Sequence, residues 1–222
     1  MTIIERALEL VADGSRIGLG SGHAAQAFIK ALGERVRSGK LRASGVPTSD
    51  ETASLATEEA IPLLTLEQAG ILDVTVDGAD EVAPNLDLIK GWGRALVREK
   101  IVAASSRRLV ILVGQEKLVP QLGMRGKLPV EVTPFAMPLC MRRLGDLGCQ
   151  PVPYVHGDGL FVTDNGNYIL DCRIDPIADA PRLETAIRAI PGVLGTGLFL
   201  GMADTVLVGD QNDFRLIEER RR

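Results

Sequence analysis

The side chains best suited to chemistry lie in one stretch of the sequence, residues 73–104. A short β-prone run in this stretch ends at an acidic turn that contains Asp77 and Asp80, and a second apolar run ends at Lys90. In open α/β sheets, ligands bind at the carboxyl ends of the strands. The pattern therefore predicts a functional site at these strand ends.

Glu99 follows on a predicted helix, and residues three and four positions away share its face. Those neighbours are all apolar: Ala95, Leu96, Val102 and Ala103. A carboxylate on an apolar face loses hydration, which raises its pKa towards the range of a general base. The pattern also fits a glutamate at the rim of the fold, or one that is paired with a lysine elsewhere.

A glycine-rich turn precedes the helix predicted at 24–37, and it includes Ser21, Gly22, His23 and Ala24. Backbone amides at the start of a helix form a natural anion site. The glycine spacing differs from the dinucleotide-binding fingerprint, and no acidic residue ends a strand about twenty residues later. A phosphate site and an ordinary tight turn both remain open for this segment.

Length and composition limit the possible classes of protein. The chain has 222 residues, which suits one large domain or two small ones, and its net charge of −4 argues against general nucleic-acid binding. The three cysteines, Cys140, Cys149 and Cys172, match no zinc or disulfide pattern, which favours a reducing cytoplasm. We expect no signal peptide and no membrane association.

Strands alternate with helices in the first half of the chain, which predicts an α/β fold with a Rossmann-like, mainly parallel sheet. Lys117 follows the apolar strand predicted at 109–113, so it is expected to face the same crevice as Lys90. After Gly126 the pattern becomes β-α-β-β-α-β, which predicts a smaller α+β, ferredoxin-like domain. The expected domains are 1–127 plus 201–222, and 128–200, with a solvated tail at 220–222.

Five motifs occur in order along nearly the whole chain. They are Asp-Gly-Ala-Asp-Glu-Val at 77–82, Ile-Lys-Gly-x-Gly at 89–93, Arg-Glu-Lys-Ile-Val-Ala at 98–103, Leu-Pro-Val-Glu-Val at 128–132 and Thr-Asp-Asn-Gly-Asn-Tyr at 163–168. Together they resemble the type A family of ribose-5-phosphate isomerases. The resemblance implies interconversion of ribose 5-phosphate and ribulose 5-phosphate in the pentose phosphate pathway, by a homodimer or homotetramer that uses no metal or other cofactor.

The resemblance also implies roles for particular residues. Glu99 matches the family's base, Lys90 matches the lysine that stabilises the enediolate, and Asp77 and Asp80 match the acids for ring opening and hydroxyl binding. The residues expected to bind the sugar phosphate are Ser21, Gly22, His23, Ala24, Gly91, Trp92, Gly93 and Lys117.

The sequence departs from the family pattern at binding positions. His23 and Ala24 replace two hydroxyl residues, and Trp92 replaces the middle of three glycines; His23 could instead be a helix-start residue without a ligand, and Trp92 a packing residue. An isomerase of another aldose phosphate is therefore one alternative. A sugar-phosphate sensor without turnover is a second, and a coenzyme A transferase on a similar fold is a remote third.

Overall fold

The computed structural model describes residues 2–209 and the backbone of 214–219. The chain divides into two compact units. The first unit comprises Met1–Ala79, Arg98–Lys117 and Met202–Arg222, and the second comprises Asp80–Val97 and Leu118–Gly201. The tail at 220–222, expected to be solvated, lies outside the described residues.

Seven α-helices occur in the described residues: α1 Ile3–Glu9, α2 His23–Arg37, α3 Asp50–Glu58, α4 Leu66–Ala69, α5 Leu96–Ala104, α6 Met137–Asp146 and α7 Ala180–Arg188. Short 3-10 helices lie at Gln115–Lys117 and Pro134–Ala136. Thr2 and Glu5 form the capping box that their spacing predicts at the start of α1. None of the helices described in 2–209 is long and apolar enough to cross a lipid bilayer.

The first unit is built on a six-stranded sheet in the order β15-β14-β6-β3-β1-β2. Its strands are β1 Ser15–Leu19, β2 Ala43–Pro47, β3 Val74–Gly78, β6 Leu109–Val113, β14 Thr205–Gly209 and β15 Phe214–Glu219. All neighbours pair in parallel except β14 and β15. The strand order reverses between β1 and β3, and such a switch point opens a crevice at the carboxyl ends of the strands.

The apolar face of α2 covers this sheet. Phe28, Ile29 and Leu32 are fully buried and share one face of the helix, as their spacing of one, three and four residues requires. They pack in one cluster with Val76 of β3 and Leu19 of β1. This packing fixes the ends of β1 and β3, where the loops that carry the predicted site residues begin.

The second unit contains three smaller sheets. The four-stranded sheet has the order β12-β7-β11-β8, and the others are β13-β5-β4 and β10-β9. Their strands are β4 Glu81–Val82, β5 Leu88–Ile89, β7 Lys127–Val132, β8 Gln150–Pro153, β9 Val155–His156, β10 Gly159–Leu160, β11 Tyr168–Arg173, β12 Val193–Thr196 and β13 Leu198–Phe199. The order β7-α6-β8-β11-α7-β12 is the predicted β-α-β-β-α-β pattern. The predicted fold class is confirmed.

The compact units divide the chain differently from the predicted domains. The prediction placed 80–97 and 118–127 in the first domain, whereas the structure groups both segments with the second unit. The reason is the antiparallel pairing of β5 with β13, in which Ile89 lies opposite Leu198. These strands are distant in the sequence, so their pairing could not be read from local patterns. The predicted functional domains 1–127 plus 201–222, and 128–200, stay a prediction.

In three segments the local sequence predicts elements that differ from the structure: strands at 61–64 and 193–199, and a turn at 68–72. The strand predicted at 61–64 is a single bridge between Gly45 and Leu63, because Pro62 has no N–H for a ladder. The turn predicted at 68–72 begins within the short helix α4, which ends at Ala69 and is followed by Gly70 with a φ of 60°. The strand predicted at 193–199 splits into β12 and β13, where the N–H of Gly197 donates to Pro129 O.

Candidate active site

The loop after β1 in the first unit is held against Asp77 at the end of β3. The backbone N–H of Ser21 donates to Asp77 Oδ1 over 3.1 Å, and the N–H of Gly78 donates to the same oxygen over 2.7 Å. A Cβ on Gly20 would lie 2.6 Å from the Asp77 Cα, so only glycine allows this approach. Asp77, 1% exposed, is thus a buried carboxylate that accepts backbone hydrogen bonds.

A cluster of hydroxyl groups supports the same loop. Ser21 Oγ lies 2.8 Å from Thr48 Oγ1, 3.1 Å from Ser49 Oγ and 3.3 Å from Thr52 Oγ1. Thr48 donates to Leu19 O, and Thr52 donates to the carbonyl that precedes Ser21. Thr48, Ser49 and Thr52 are not among the predicted site residues, although the Thr-Ser pair directly after β2 was an available signal.

The start of α2 places three of the predicted binding residues. Gly22 is the N-cap residue, with a φ of 85°, and no side-chain hydrogen bond caps the helix. His23 is exposed as the first helical residue, and Ala24 lies 4.0 Å from a Cβ built on Gly78. Because the first amides of a helix have no partner within the helix, this end of α2 can bind an anion.

Glu99 lies in the first turn of α5 and is 3% exposed. Val102, one turn further along the helix, packs in an apolar cluster with Val46, Ala69 and Leu72. The predicted burial of Glu99 on an apolar helix face is confirmed. A buried carboxylate in an apolar setting has the environment that a general base requires.

Lys117 ends the 3-10 helix that follows β6, and its side chain is half-buried. Its N–H donates to Gly114 O over 3.1 Å, which closes the turn after the strand. The prediction that Lys117 follows a strand of the parallel sheet is confirmed.

Asp80 and Lys90 belong to the second unit, where backbone contacts fix both residues. Asp80 Oδ2 accepts from the N–H of Trp92 over 2.9 Å. Lys90 is 2% exposed, its N–H donates to Gly197 O over 2.8 Å, and its Nζ lies 5.5 Å from the centroid of the Phe199 ring. A buried ammonium is strongly desolvated, so it interacts strongly with a developing negative charge.

The loop after Lys90 is a tight turn. Gly91 has a φ of 98°, a Cβ there would lie 2.6 Å from the Leu96 Cβ, and the N–H of Arg94 donates to Gly91 O. Gly93 is exposed and Trp92 is half-buried. The indole of Trp92 donates to Lys127 O over 3.3 Å, so Trp92 has a packing role in this unit.

Glu81, next to Asp80, is fully buried and is not among the predicted site residues. Its two carboxylate oxygens accept from the N–H groups of Gly123 and Arg125, over 2.6 and 2.8 Å. Arg125 in turn donates to Asp80 O over 3.0 Å. These bonds fix the backbone at Asp80.

Across residues 2–209, no three or more His, Cys, Asp or Glu side chains group in a way that could hold a metal ion.

Known proteins match this chain over almost its full length. Residues 44–213 match the family model of ribose 5-phosphate isomerase A (phosphoriboisomerase A). The chain is 52% identical to the ribose-5-phosphate isomerase A of Roseiflexus castenholzii over 92% of the chain and 88% of the relative. It is 51% identical to the protein of the same name from Gloeobacter violaceus, over 97% of the chain and 94% of the relative.

Solved structures agree with these matches. The ribose 5-phosphate isomerase A of Methanocaldococcus jannaschii superposes with a TM-score of 0.93 at 40% identity, covering 98% of this chain and 97% of that one. A D-ribose-5-phosphate isomerase in complex with phospho-erythronic acid gives a TM-score of 0.94 at 39% identity, over 98% and 96% of the two chains. The chain therefore belongs to the ribose 5-phosphate isomerase A family.

Proposed function

We propose that this chain interconverts D-ribose 5-phosphate and D-ribulose 5-phosphate, as an aldose-ketose isomerase in the non-oxidative branch of the pentose phosphate pathway. Membership of the isomerase family supports the reaction. The observation that carries the proposal is the burial of the Glu99 carboxylate, which is 3% exposed on an otherwise apolar helix face. A protein that only binds sugar phosphates has no need for such a base.

In the proposed chemistry Glu99 removes the proton from C2 of the open-chain aldose. The electrons of the C–H bond form a C1–C2 double bond, and the carbonyl oxygen on C1 becomes the oxyanion of a cis-enediolate. Glu99 then returns its proton to C1, the proton of the hydroxyl on C2 passes to the oxyanion on C1, and C2 becomes the new carbonyl carbon. Hydrogen moves from C2 to C1, and no electron acceptor is needed. A positioned general base contributes about 10²–10⁴-fold to such a step.

Lys90 is proposed to stabilise the enediolate, since its buried ammonium is preorganised for negative charge. Asp77 and Asp80 are proposed to open the furanose ring, which requires one proton at the ring oxygen and the loss of one from the hydroxyl on C1. Lys117 is proposed to bind a charged or hydroxyl group of the substrate. These roles follow the family resemblance residue by residue.

The loop at Ser21–Ala24 is proposed to bind the phosphate through the backbone amides at the start of α2. The complex of the 39% identical isomerase with phospho-erythronic acid supports a phosphorylated sugar as the ligand class. Gly91, Trp92 and Gly93 are proposed to contribute backbone groups near the sugar.

A coupled assay of ribose 5-phosphate conversion, with purified protein and no added metal, tests the proposal. We expect turnover that EDTA leaves unchanged, because the proposed chemistry uses only protein side chains. No conversion by folded protein would contradict the proposed function, and loss of activity in EDTA with recovery on adding a divalent ion would contradict the metal-free mechanism.

An isomerase of another aldose phosphate is the second candidate. The observation in its favour is the loop itself, since His23 and Ala24 carry no hydroxyl and the Ser21 hydroxyl contacts Thr48. Assays of several five- and six-carbon aldose phosphates under the same conditions would rank kcat/KM for each. Faster conversion of an aldose phosphate other than ribose 5-phosphate would favour this candidate; binding without turnover of any would favour a sensor.

We also propose that the protein acts in the cytoplasm as a homodimer or homotetramer. The three cysteines are all free thiols, which fits a reducing compartment. Sedimentation of the purified protein tests the oligomeric state: a monomer at the concentrations of the assay would contradict it.

A further inference from the structure

Arg94 has an unusual backbone conformation for its residue type. It lies in the second unit, four residues after Lys90, with a φ of 74°. In this left-handed region a Cβ approaches the backbone closely, so glycine is favoured and long side chains are rare. Such a conformation persists only where other contacts hold the residue in place.

The guanidinium of Arg94 provides these contacts. Its Nη1 and Nη2 donate to Oδ1 and Oδ2 of Asp171, each over 2.9 Å. The same group lies 3.7 Å from the centroid of the Tyr154 ring. The side chains of Arg94 and Asp171 are only 10% and 19% exposed, so this bidentate pair is shielded from solvent. Asp171 itself is in β11, which pairs with strands on both sides.

Trp92 is attached to the same group of residues. Its indole N–H donates to Lys127 O, and the Lys127 Nζ lies 4.3 Å from the centroid of its ring. Lys127 Nζ also lies 3.8 Å from Asp171 Oδ2. We call this group the loop clamp: Trp92, Arg94, Lys127, Tyr154 and Asp171. It joins two side chains of the loop to two strands of the four-stranded sheet.

The backbone of the clamped loop contacts residues of proposed catalytic function. The N–H of Trp92 donates to the carboxylate of Asp80, and the loop begins directly at Lys90. The N–H of Arg94 closes the turn to Gly91 O over 2.9 Å. A shift of the loop would therefore move the donor to Asp80 and the backbone of Lys90 together.

We propose that Arg94 and Asp171 are positioning residues: their ion pair holds the strained loop so that Lys90 and Asp80 keep their catalytic geometry. The inference rests on the proposed function, which gives Lys90 and Asp80 their roles. Neither Arg94 nor Asp171 is assigned contact with substrate. Their effect is expected on kcat, because Lys90 is proposed to act on charge that develops during the reaction.

Three variants test the proposal: Arg94→Gly, Asp171→Asn and the double variant. Arg94→Gly suits the positive φ, so it removes the ion pair without adding backbone strain. We expect kcat to fall about tenfold to a hundredfold, as for a small misplacement of catalytic groups, with KM changed less than about threefold. The double variant should be no worse than the more impaired single variant, since the two side chains act as a pair.

Fluorescence gives a readout that does not depend on activity. Trp92 is the only tryptophan of the chain, so acrylamide quenching of its emission reports on the loop alone. We expect stronger quenching in Arg94→Gly and in Asp171→Asn. The control is Asp13→Asn, which breaks the solvent-exposed ion pair of Asp13 with Arg42 and should leave quenching and kcat unchanged.

The outcomes separate this inference from the proposed function. A wild-type protein without isomerase activity contradicts the proposed function. Even in that case, stronger quenching of Trp92 in both variants but not in Asp13→Asn supports the loop clamp as the group that holds the loop. With an active wild type, kcat values of both variants within about twofold of wild type overturn the positioning role. A loss of thermal stability alone, with kcat and KM unchanged, overturns it equally.

Discussion

The backbone N–H of Ser21 donates a 3.1 Å hydrogen bond to Asp77 Oδ1, which joins the loop after β1 to the carboxyl end of β3. These strands are neighbours in the parallel sheet, at the point where the strand order reverses. The same carboxylate oxygen accepts from Gly78. The start of α2 and the Asp77 carboxylate are thus fixed to one another, so a change at either residue is expected to affect both.

Glu99→Gln keeps the size of the side chain and removes its basicity. We expect turnover to fall by about 10²–10⁴-fold, the contribution of one positioned base, while substrate binding persists. Steady-state assays with ribose 5-phosphate, together with a binding measurement, check this result. Glu34→Gln, at an exposed position of α2, is the matched control. A Glu99→Gln enzyme with wild-type turnover would exclude Glu99 as the base.

Lys90→Ala should lower kcat by about 10²–10³-fold, as removal of one oxyanion donor does. Lys90→Arg should restore little, because a planar guanidinium does not fit a buried site shaped for a compact ammonium. The measurement is kcat and KM for both variants, with Lys30→Ala at an exposed position as the control. A higher KM at unchanged kcat would assign Lys90 to substrate binding instead.

His23→Asn should raise KM by about threefold to tenfold with little change in kcat, as expected for the loss of one exposed hydrogen bond to the phosphate. His23 is the first residue of α2, where the helix amides attract anions. Inhibition by inorganic phosphate should weaken in parallel. The double variant His23→Ser with Ala24→Thr restores hydroxyl side chains, so its KM should return towards the wild-type value. Equal KM values in His23→Asn and wild type would show that His23 does not bind the phosphate.

The three buried cysteines should differ in their reaction with iodoacetamide as the pH rises. A hydrogen bond from the Cys172 thiol lowers the pKa of Cys149, and the same hydrogen bond, together with burial, raises the pKa of Cys172. Burial also raises the pKa of Cys140. Because the thiolate is the nucleophile, Cys149 should be alkylated first as the pH increases. Peptide mass spectrometry after timed labelling measures the order. In Cys149→Ser, neither remaining cysteine should be alkylated at the pH where Cys149 reacts in the wild type. Faster labelling of Cys140 than of Cys149 in the wild type would contradict the lowered pKa of Cys149.

The local sequence determined much of this protein, because short-range patterns set short-range structure. The alternation of apolar strands with helices predicted the parallel sheet, and the spacing of the second half predicted the β-α-β-β-α-β order. The apolar neighbours of Glu99 predicted its burial. Each of these follows from periodicity or capping within about ten to twenty residues, the range over which sequence patterns act directly.

Only the tertiary structure decided which distant side chains meet. Ser21 contacts Thr48, 27 residues later, and Arg94 contacts Asp171, 77 residues later. Such contacts depend on the order and register of strands, which bring side chains together irrespective of their local propensities. For the same reason, the sequence shows only that Trp92 and Arg94 lie in the loop after Lys90. The pairing of β11 with its neighbouring strands places Asp171 where it can bind Arg94 and hold this loop.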